Sequence, residues 1–397
     1  KVPAVLAFEA PGSLRNLEWF AQAPRTLGEH EVEIEPVATG LNFRDVMYAM
    51  GLLSDAAVEN GFAGATILME LAGRVRLAYS ELAAVILVIG VLGFAPASFA
   101  TRVVTRADAI AAKPARLSFE EAATIPTTFF TAWYALVELA RLRRGERVLI
   151  HGGAGGVGIA AIQIARHFGA EVFATAGSDE KREFVRLLGA DHVLDSRGLA
   201  FADQVRALTR GQGVDIVLNS LAGEAMVRSI DTLRPFGRFL ELGKRDFYEN
   251  SHIGLRPFRN NISYFGIDAD QLMGVLPELT ARLFGEVMQL FADGTLHPLP
   301  YRAFPAERAE DAFRYMQQAR QIGKVLVTYA LGTPAPTHGL AEAPRLALDA
   351  GAAYLVIGGT GGLGFATARR LVERGARHLS LASRGGVLGD AAAAEVA

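Results

Sequence analysis

Apolar and polar positions change rhythm along this chain. Over residues 1–125 short apolar stretches are broken by turn signals; residues 2–9 and 31–37 read as strands, and Pro11-Gly12 marks a turn. Between Arg144 and Lys244, strand-length apolar runs alternate with helical patterns: 147–151 then 156–168, 171–176 then 179–188, 214–219 then 223–233, and finally 238–242. This alternation predicts a parallel sheet with helices on its faces, an α/β fold. Residues 275–293 carry a helical period and 323–329 read as a strand. Thr333-Pro-Ala-Pro-Thr-His-Gly339 reads as a linker. Beyond it, 353–359, 361–374 and 378–383 begin a second strand–helix–strand unit. One run, 82–94, is almost uniformly apolar; about 13 residues cannot span a bilayer, so it is expected to be a buried strand or helix.

Composition narrows the classes. The 397 residues are 51% hydrophobic and 21% charged, with a formal net charge of −2. That is a globular balance with room for two or three domains. Without a basic excess, neither nucleic acid nor an anionic membrane surface is an expected partner. There are no cysteines, so disulfides and thiolate zinc sites are excluded and no metal is expected. A cytoplasmic location is expected, since the first ten residues lack a leader-like apolar core. The chain opens without Met and closes just after its second unit begins; it is expected to be a piece of a longer protein.

Two glycine fingerprints carry the first chemistry. His151-Gly-Gly-Ala-Gly-Gly-Val-Gly158 contains Gly153-x-Gly155-x-x-Gly158 between a strand and a helix. In that context Gly153, Ala154, Gly155, Gly156, Val157 and Gly158 form a tight turn whose backbone amides approach a pyrophosphate at a helix N-terminus. An NAD site wants an acid at the tip of the next strand. Here that strand ends Ala174-Thr-Ala-Gly-Ser178, followed by Lys181 and Arg182. Ser178, Lys181 and Arg182 suit a 2′-phosphate, so NADPH is the expected cofactor; the other reading of these charges is a solvated first helical turn. Asp179 and Glu180 are expected to cap that helix. Asn219, Ser220, Leu242 and Gly243, at the ends of later strands, are assigned to the cofactor too. The second fingerprint, Ile357-Gly-Gly-Thr-Gly-Gly-Leu-Gly364, supplies Gly358, Gly359, Gly361, Gly362, Leu363 and Gly364, with Ser383 and Arg384 at the next strand tip. Two such sites suggest a multifunctional reducing machine.

Residues 1–329 resemble the enoyl reductase domain of type I polyketide synthases, especially the mycocerosic acid synthase type, within the zinc-free medium-chain dehydrogenase/reductase superfamily. The resemblance rests on Gly40-Leu-Asn-Phe-Arg-Asp45, Phe94-Ala-Pro-Ala-Ser-Phe-Ala100 and Ile125-Pro-Thr-Thr-Phe-Phe-Thr-Ala-Trp-Tyr134. It continues through His151–Gly158 and Phe239-Leu-Glu-Leu-Gly-Lys-Arg-Asp-Phe-Tyr248, in the family's order. Residues 351–386 resemble the start of a short-chain-type ketoreductase domain. The resemblance implies a GroES-like β-rich catalytic domain (1–125 and 290–330), an inserted doubly wound Rossmann domain (126–289), a linker (331–350) and a truncated ketoreductase start (351–397). It implies an acyl carrier protein domain bearing the enoyl thioester, neighbouring ketoreductase and dehydratase domains, and a homodimer. The sequence departs from the family in three places. Val85-Ile-Leu-Val-Ile-Gly-Val-Leu92 replaces a turn and a charged run expected within 66–93. Ile357 stands where the short-chain family usually has Thr. The last unit stops before a Ser/Tyr/Lys set.

The same resemblance makes Lys244, after a strand and Gly243, the expected acid or enolate partner, acting with Asp268 in Tyr264-Phe-Gly-Ile-Asp268; a structural ion pair is the other reading. Asn42 is expected to orient the cofactor or the thioester oxygen. Thr127 and Thr128 are expected either to bond the nicotinamide or to cap a helix. Phe43 is assigned to the substrate pocket, where related enzymes often carry a proton-donating Tyr. Phe129, Phe130 and Trp133 read as core, and His151 as packing at the phosphate turn. The competing functions are a free-standing NADPH:quinone oxidoreductase and a cofactor-binding scaffold without turnover.

Overall fold

The computed structural model describes residues 2–23, 25–53, 62, 64–67, 69–78, 90–329, 336–340, 348, 349 and 351–386. It divides into two compact units, Lys1–Leu340 and Ala341–Ala397. The first opens with β1 (Ala4–Ala7), β2 (Glu18–Ala21), β3 (Glu31–Leu41), α1 (Phe43–Ala49), β4 (Glu70–Ala78) and β5 (Gly90–Phe94). Then come β6 (Val103–Arg106), β7 (Ile110–Ala112), α2 (Phe119–Ala123) and α3 (Pro126–Trp133). An alternating stretch follows: β8 (Arg147–Ile150), α4 (Gly156–His167), β9 (Glu171–Ala176), α5 (Asp179–Leu188), β10 (His192–Asp195) and α6 (Ala200–Leu208). It continues with β11 (Val214–Asn219), α7 (Glu224–Ile230), β12 (Leu233–Glu241), α8 (Arg245–Tyr248) and β13 (Ser263–Gly266). The unit closes with α9 (Ala269–Val275), α10 (Pro277–Ala292), β14 (Tyr301–Pro305), α11 (Ala309–Gln317), β15 (Lys324–Thr328) and β16 (His338–Leu340).

The alternating stretch forms the expected parallel sheet, six strands in the order β10-β9-β8-β11-β12-β13. Its central strands are apolar because helices cover both faces; every residue of β11 is buried. A seven-stranded sheet runs β14-β15-β3-β4-β5-β7, with β6 also paired to β3. It joins the early strands to the late β14 and β15, so the chain leaves this sheet, builds the parallel one and returns. Helix α3 bridges them through its apolar side: Phe129 and Phe130 are fully buried, against Phe291 of α10 (4.8 Å between ring centroids) and Phe94 of β5 (5.3 Å).

The apolar run at 82–94 enters the description only from Gly90, where β5 is a strand, one of the two expected alternatives; its earlier part, and 331–335, 341–347 and 350 of the expected linker, lie outside the described residues. Within that linker residues 338–340 differ from expectation. His338 pairs in parallel with Phe20 of β2, making β16 the third strand of a small sheet. The Thr337 N–H donates to the Trp19 carbonyl at 2.8 Å, and the His338 ring lies 5.1 Å from that of Phe20. A Pro-rich stretch next to polar residues reads as linker, yet an exposed edge strand offers it backbone partners that local sequence cannot reveal. Among the described residues no helix is long and apolar enough to cross a membrane.

The second unit contains β17 (Ala353–Ile357), α12 (Gly362–Glu373) and β18 (His378–Ala382), the two strands paired in parallel.

Candidate active site

The residues assigned to the first fingerprint and to the later strand ends gather at the carboxyl ends of the six-stranded sheet, the edge where doubly wound sheets bind ligands. After β8 the chain turns through Gly152 (φ +65°) into α4. A Cβ on Gly158 would come within 2.2 Å of the Gly152 carbonyl oxygen, and one on Gly156 within 2.8 Å of the Thr128 methyl, so only glycine allows this closure. Gly155 is the N-cap of α4 and supplies no side-chain cap, so the first-turn amides are left for an acceptor from outside the helix. That cradle fits a pyrophosphate. The Ser220 hydroxyl lies beside Gly152. His151 is fully buried, and burial pushes its pKa down to about 3; its ring nitrogens meet Thr175 Oγ1 at 3.0 Å and Ser229 Oγ at 2.9 Å. It packs the turn as a neutral ring.

At the tip of β9 the Ser178 hydroxyl accepts the Lys181 N–H at 3.3 Å. Ser178 is therefore the cap of α5, and Asp179 and Glu180, expected as caps, fill its first two helical positions and favour it through the helix dipole. Lys181 Nζ donates to the Ala319 carbonyl at 2.7 Å, and burial lowers its pKa. Arg182 is held by the Ala176 carbonyl (3.2 Å), Asp179 (2.5 Å) and Asp195 (3.3 Å). At the tip of β11, Asn219 Nδ2 donates to the Leu221 carbonyl at 2.7 Å and to Glu241 Oε2 at 2.6 Å; its amide shapes the loop instead of pointing out of it.

Lys244 follows β12. Its Nζ lies 3.3 Å from Asp268 Oδ2, donates to the Ile267 carbonyl at 2.7 Å, and stands 5.8 Å from the centre of the Phe247 ring. Lys244 and Asp268 thus meet because β12 and β13 are neighbours in the sheet and each residue follows the end of its strand. The pair is 29% and 40% exposed, open enough to exchange protons with water. Beneath it Glu241 is buried and accepts the Gly243 N–H at 2.6 Å; burial raises its pKa to about 7, Asn219 and Gly243 oppose that rise, Asp246 adds to it and Lys244 opposes it.

The facing wall is the start of α1. Arg44 Nε stands 3.6 Å from Asp270, two residues beyond Asp268, and Arg44 Nη2 donates to the Gly64 carbonyl at 2.8 Å. Phe43 is 62% exposed there. Asn42, expected to orient cofactor or substrate, has both ends of its amide engaged within the protein. Oδ1 accepts from Lys324 Nζ at 2.6 Å, and Nδ2 donates to Glu70 Oε1 at 2.8 Å. Thr128 spends its hydroxyl on the Thr124 carbonyl at 2.6 Å, whereas the Thr127 hydroxyl is buried with no partner among the described residues. Phe129, Phe130 and Trp133 are core. Sequence reasoning passed over Glu70, Glu241 and Lys324. The available signal was a lone charge in each of three apolar runs, Met69-Glu70-Leu71, Leu240-Glu241-Leu242 and Gly323-Lys324-Val325.

In the second unit Gly358 (φ +77°) opens the same kind of turn, and a Cβ on Gly364 would meet its carbonyl oxygen at 2.1 Å. Gly361 is the N-cap of α12, ahead of Gly362 and Leu363. Ser383 Oγ accepts the Gly386 N–H at 3.1 Å, around Arg384.

Comparison with known proteins agrees with this architecture. Residues 156–283 match the family described as zinc-binding dehydrogenase, and residues 352–397 match the KR domain. The chain has no cysteine, which excludes a thiolate zinc site, and among the described residues no group of three or more His, Asp and Glu could hold a metal ion. The chain is 42% identical over 399 residues to a phenolphthiocerol/phthiocerol polyketide synthase protein of Mycobacterium tuberculosis, covering 98% of this chain and 18% of that protein. It is 41% identical to the lovastatin diketide synthase of Monascus pilosus, covering 96% and 15%. The chain therefore spans less than a fifth of these relatives. Among solved structures, the CurK enoyl reductase is 40% identical with a TM-score of 0.76, covering 83% of this chain and 99% of that one. The CurF ER cyclopropanase of the curacin A biosynthetic pathway is 36% identical, with the same score and coverage.

Proposed function

Because the chain belongs to the enoyl reductase family of polyketide synthases, we propose that it reduces the 2,3 double bond of an enoyl thioester carried by an acyl carrier protein domain, with NADPH as the reductant. The observation that carries this reading is the Lys244–Asp268 pair standing at the same sheet edge as the fingerprint loop. When bound, NADPH supplies a hydride to the β-carbon of the thioester. Negative charge then develops on the thioester oxygen, and the α-carbon takes a proton. An ammonium group has three donors. Ile267 and Asp268 engage two of those on Lys244, which leaves a third for the enolate oxygen or the α-carbon. Asp268 and the Ile267 carbonyl hold the amine in place, and water refills it through the exposed side. Phe43 lines the pocket and has no hydroxyl to donate. The 2′-phosphate is assigned to Ser178, Lys181 and Arg182, the last two released from their present partners on binding.

The rest of the synthase reading goes with it: a ketoreductase domain beginning at the second glycine fingerprint, a dehydratase that makes the enoyl group, and a homodimeric assembly. Mixing the protein with NADPH and a crotonyl pantetheine thioester in a stopped-flow instrument tests the proposal. Loss of NADPH absorbance supports it. Turnover with quinones but not with the thioester would favour a quinone oxidoreductase instead.

A further inference from the structure

The most deeply buried ion pair among the described residues joins Lys324, at the start of β15, to Glu70, at the start of β4; their side chains are 3% and 0% exposed, with Nζ 2.5 Å from Oε1. Removing two charges from water is costly, and such a pair is seldom worth more to stability than apolar residues of the same size. Its contacts suggest another use. Glu70 Oε2 accepts the Thr127 N–H at 2.8 Å, Glu70 Oε1 accepts from Asn42, and Lys324 donates to Asn42. Glu70 of β4 thereby holds the first turn of α3, and Asn42, which follows β3, and Lys324 of β15 hold Glu70 in turn. The residue before Lys324 is stitched to the fingerprint itself, since the Gly323 N–H donates to the Ala154 carbonyl at 2.9 Å. Gly40 is confined by the same cluster: a Cβ there would meet Glu70, Lys324 and the Ala123 carbonyl at 2.7–2.8 Å. Within this frame the Thr127 hydroxyl is buried and, among the described residues, without a partner, a donor whose hydrogen bond is not yet made.

We propose that Glu70 and Lys324 are positioning residues for the nicotinamide half of the cofactor: their pair fixes Asn42 and the first turn of α3, so that the Thr127 hydroxyl meets the carboxamide when NADPH binds. This rests on the NADPH reading above. Other assigned contacts, at Ser178, Lys181 and the α4 amides, serve the adenosine and pyrophosphate half and are not among the hydrogen-bond partners of Glu70, Lys324 and Asn42 given above.

The test compares NADPH with 2′-phospho-ADP-ribose, which lacks the nicotinamide. Glu70→Gln/Lys324→Met removes both charges together, avoiding the unpaired buried charge that either single change leaves; Lys324→Arg keeps the cation. Binding is read by titration calorimetry and by the fluorescence of the bound dihydronicotinamide, and folding by thermal melting. Wild type is expected to bind NADPH at least about tenfold more tightly than the fragment, the scale of one or two hydrogen bonds. In the double variant that preference should fall below about threefold and the fluorescence enhancement should disappear, with fragment affinity and melting temperature retained. Lys324→Arg should restore most of the preference. A folded double variant that keeps the full preference and fluorescence overturns the inference alone. A double variant that does not fold shifts the decision to Lys324→Arg and Thr127→Val: unchanged preference in Thr127→Val would overturn it equally. Failure of wild type to bind NADPH would instead overturn the cofactor reading on which it rests.

Discussion

Replacing Glu241 by Gln should change how stability depends on pH, because two buried groups with opposite shifts now offset each other. The Glu241 pKa is raised from 4.5 to about 7. As pH rises, the unfolded chain loses that proton first, so the stability the protonated carboxyl contributes is full below pH 4.5 and is lost as pH rises through 7. At about 1.4 kcal/mol per pH unit, this amounts to about 3 kcal/mol. His151 is lowered from 6.5 to about 3. Its stabilising contribution is present above pH 6.5 and is lost as pH falls towards 3. Between 4.5 and 6.5 the two slopes are equal and opposite. Glu241→Gln removes one slope and leaves the other, so the variant should gain about 3 kcal/mol over that interval relative to wild type. Asp246, Lys244 and Tyr264 face Glu241, but they are present in both proteins and largely cancel in the difference. Urea unfolding at half-unit pH steps measures it. Gln also offers one acceptor to the two donors on Gly243 and Asn219, which lowers stability at every pH without changing the slope. Parallel pH profiles for the two proteins would refute the reasoning and place Glu241 ionised throughout.

Three substitutions probe the chemistry. Lys244→Met keeps much of the stem and removes the charge; kcat should fall by about 100- to 10,000-fold with NADPH affinity little changed, and a loss below about threefold in single-turnover rates would make the lysine structural. Lys181→Ala should weaken NADPH by about 1.5–3 kcal/mol and NADH hardly at all; equal losses measured by calorimetry would remove it from the 2′-phosphate site. A 2-methyl enoyl thioester should give the 2R product, since Phe43 cannot donate a proton; Phe43→Tyr tests whether a hydroxyl there changes the face. A 2S product from wild type on chiral analysis would mean that substrate orientation decides.

The parallel sheet was legible because its strands are apolar on both faces and its fingerprint needs glycine for steric reasons that hold wherever the turn occurs. Lys244 and Asp268 were legible through the motif around each, and their 3.3 Å approach follows from neighbouring β12 and β13. The Asn42 environment was not. Its partners come from positions 70 and 324, and a single charge in an apolar run gives no sign of which distant opposite charge it meets. The strand at 338–340 was missed for a related reason: its partner is the edge of β2, and backbone pairing with an open edge needs no particular side chains. From the sequence Ser178 reads as a cofactor ligand, yet a serine before two acids is also a good helix cap; one hydroxyl serves the helix now and remains available to a phosphate.

The central claim is hydride transfer to an enoyl thioester with protonation by the chain or by water at the adjacent carbon. NADPH deuterated at C4 of the nicotinamide, on each face in separate reactions, should be turned over with crotonyl pantetheine thioester and the product read by mass spectrometry and NMR. One of the two labelled cofactors should deliver its deuterium, as deuteride, to C3, while C2 receives a proton from solvent. Saturated product without deuterium at C3 from either cofactor, or oxidation of NADPH without saturated thioester, would contradict the account.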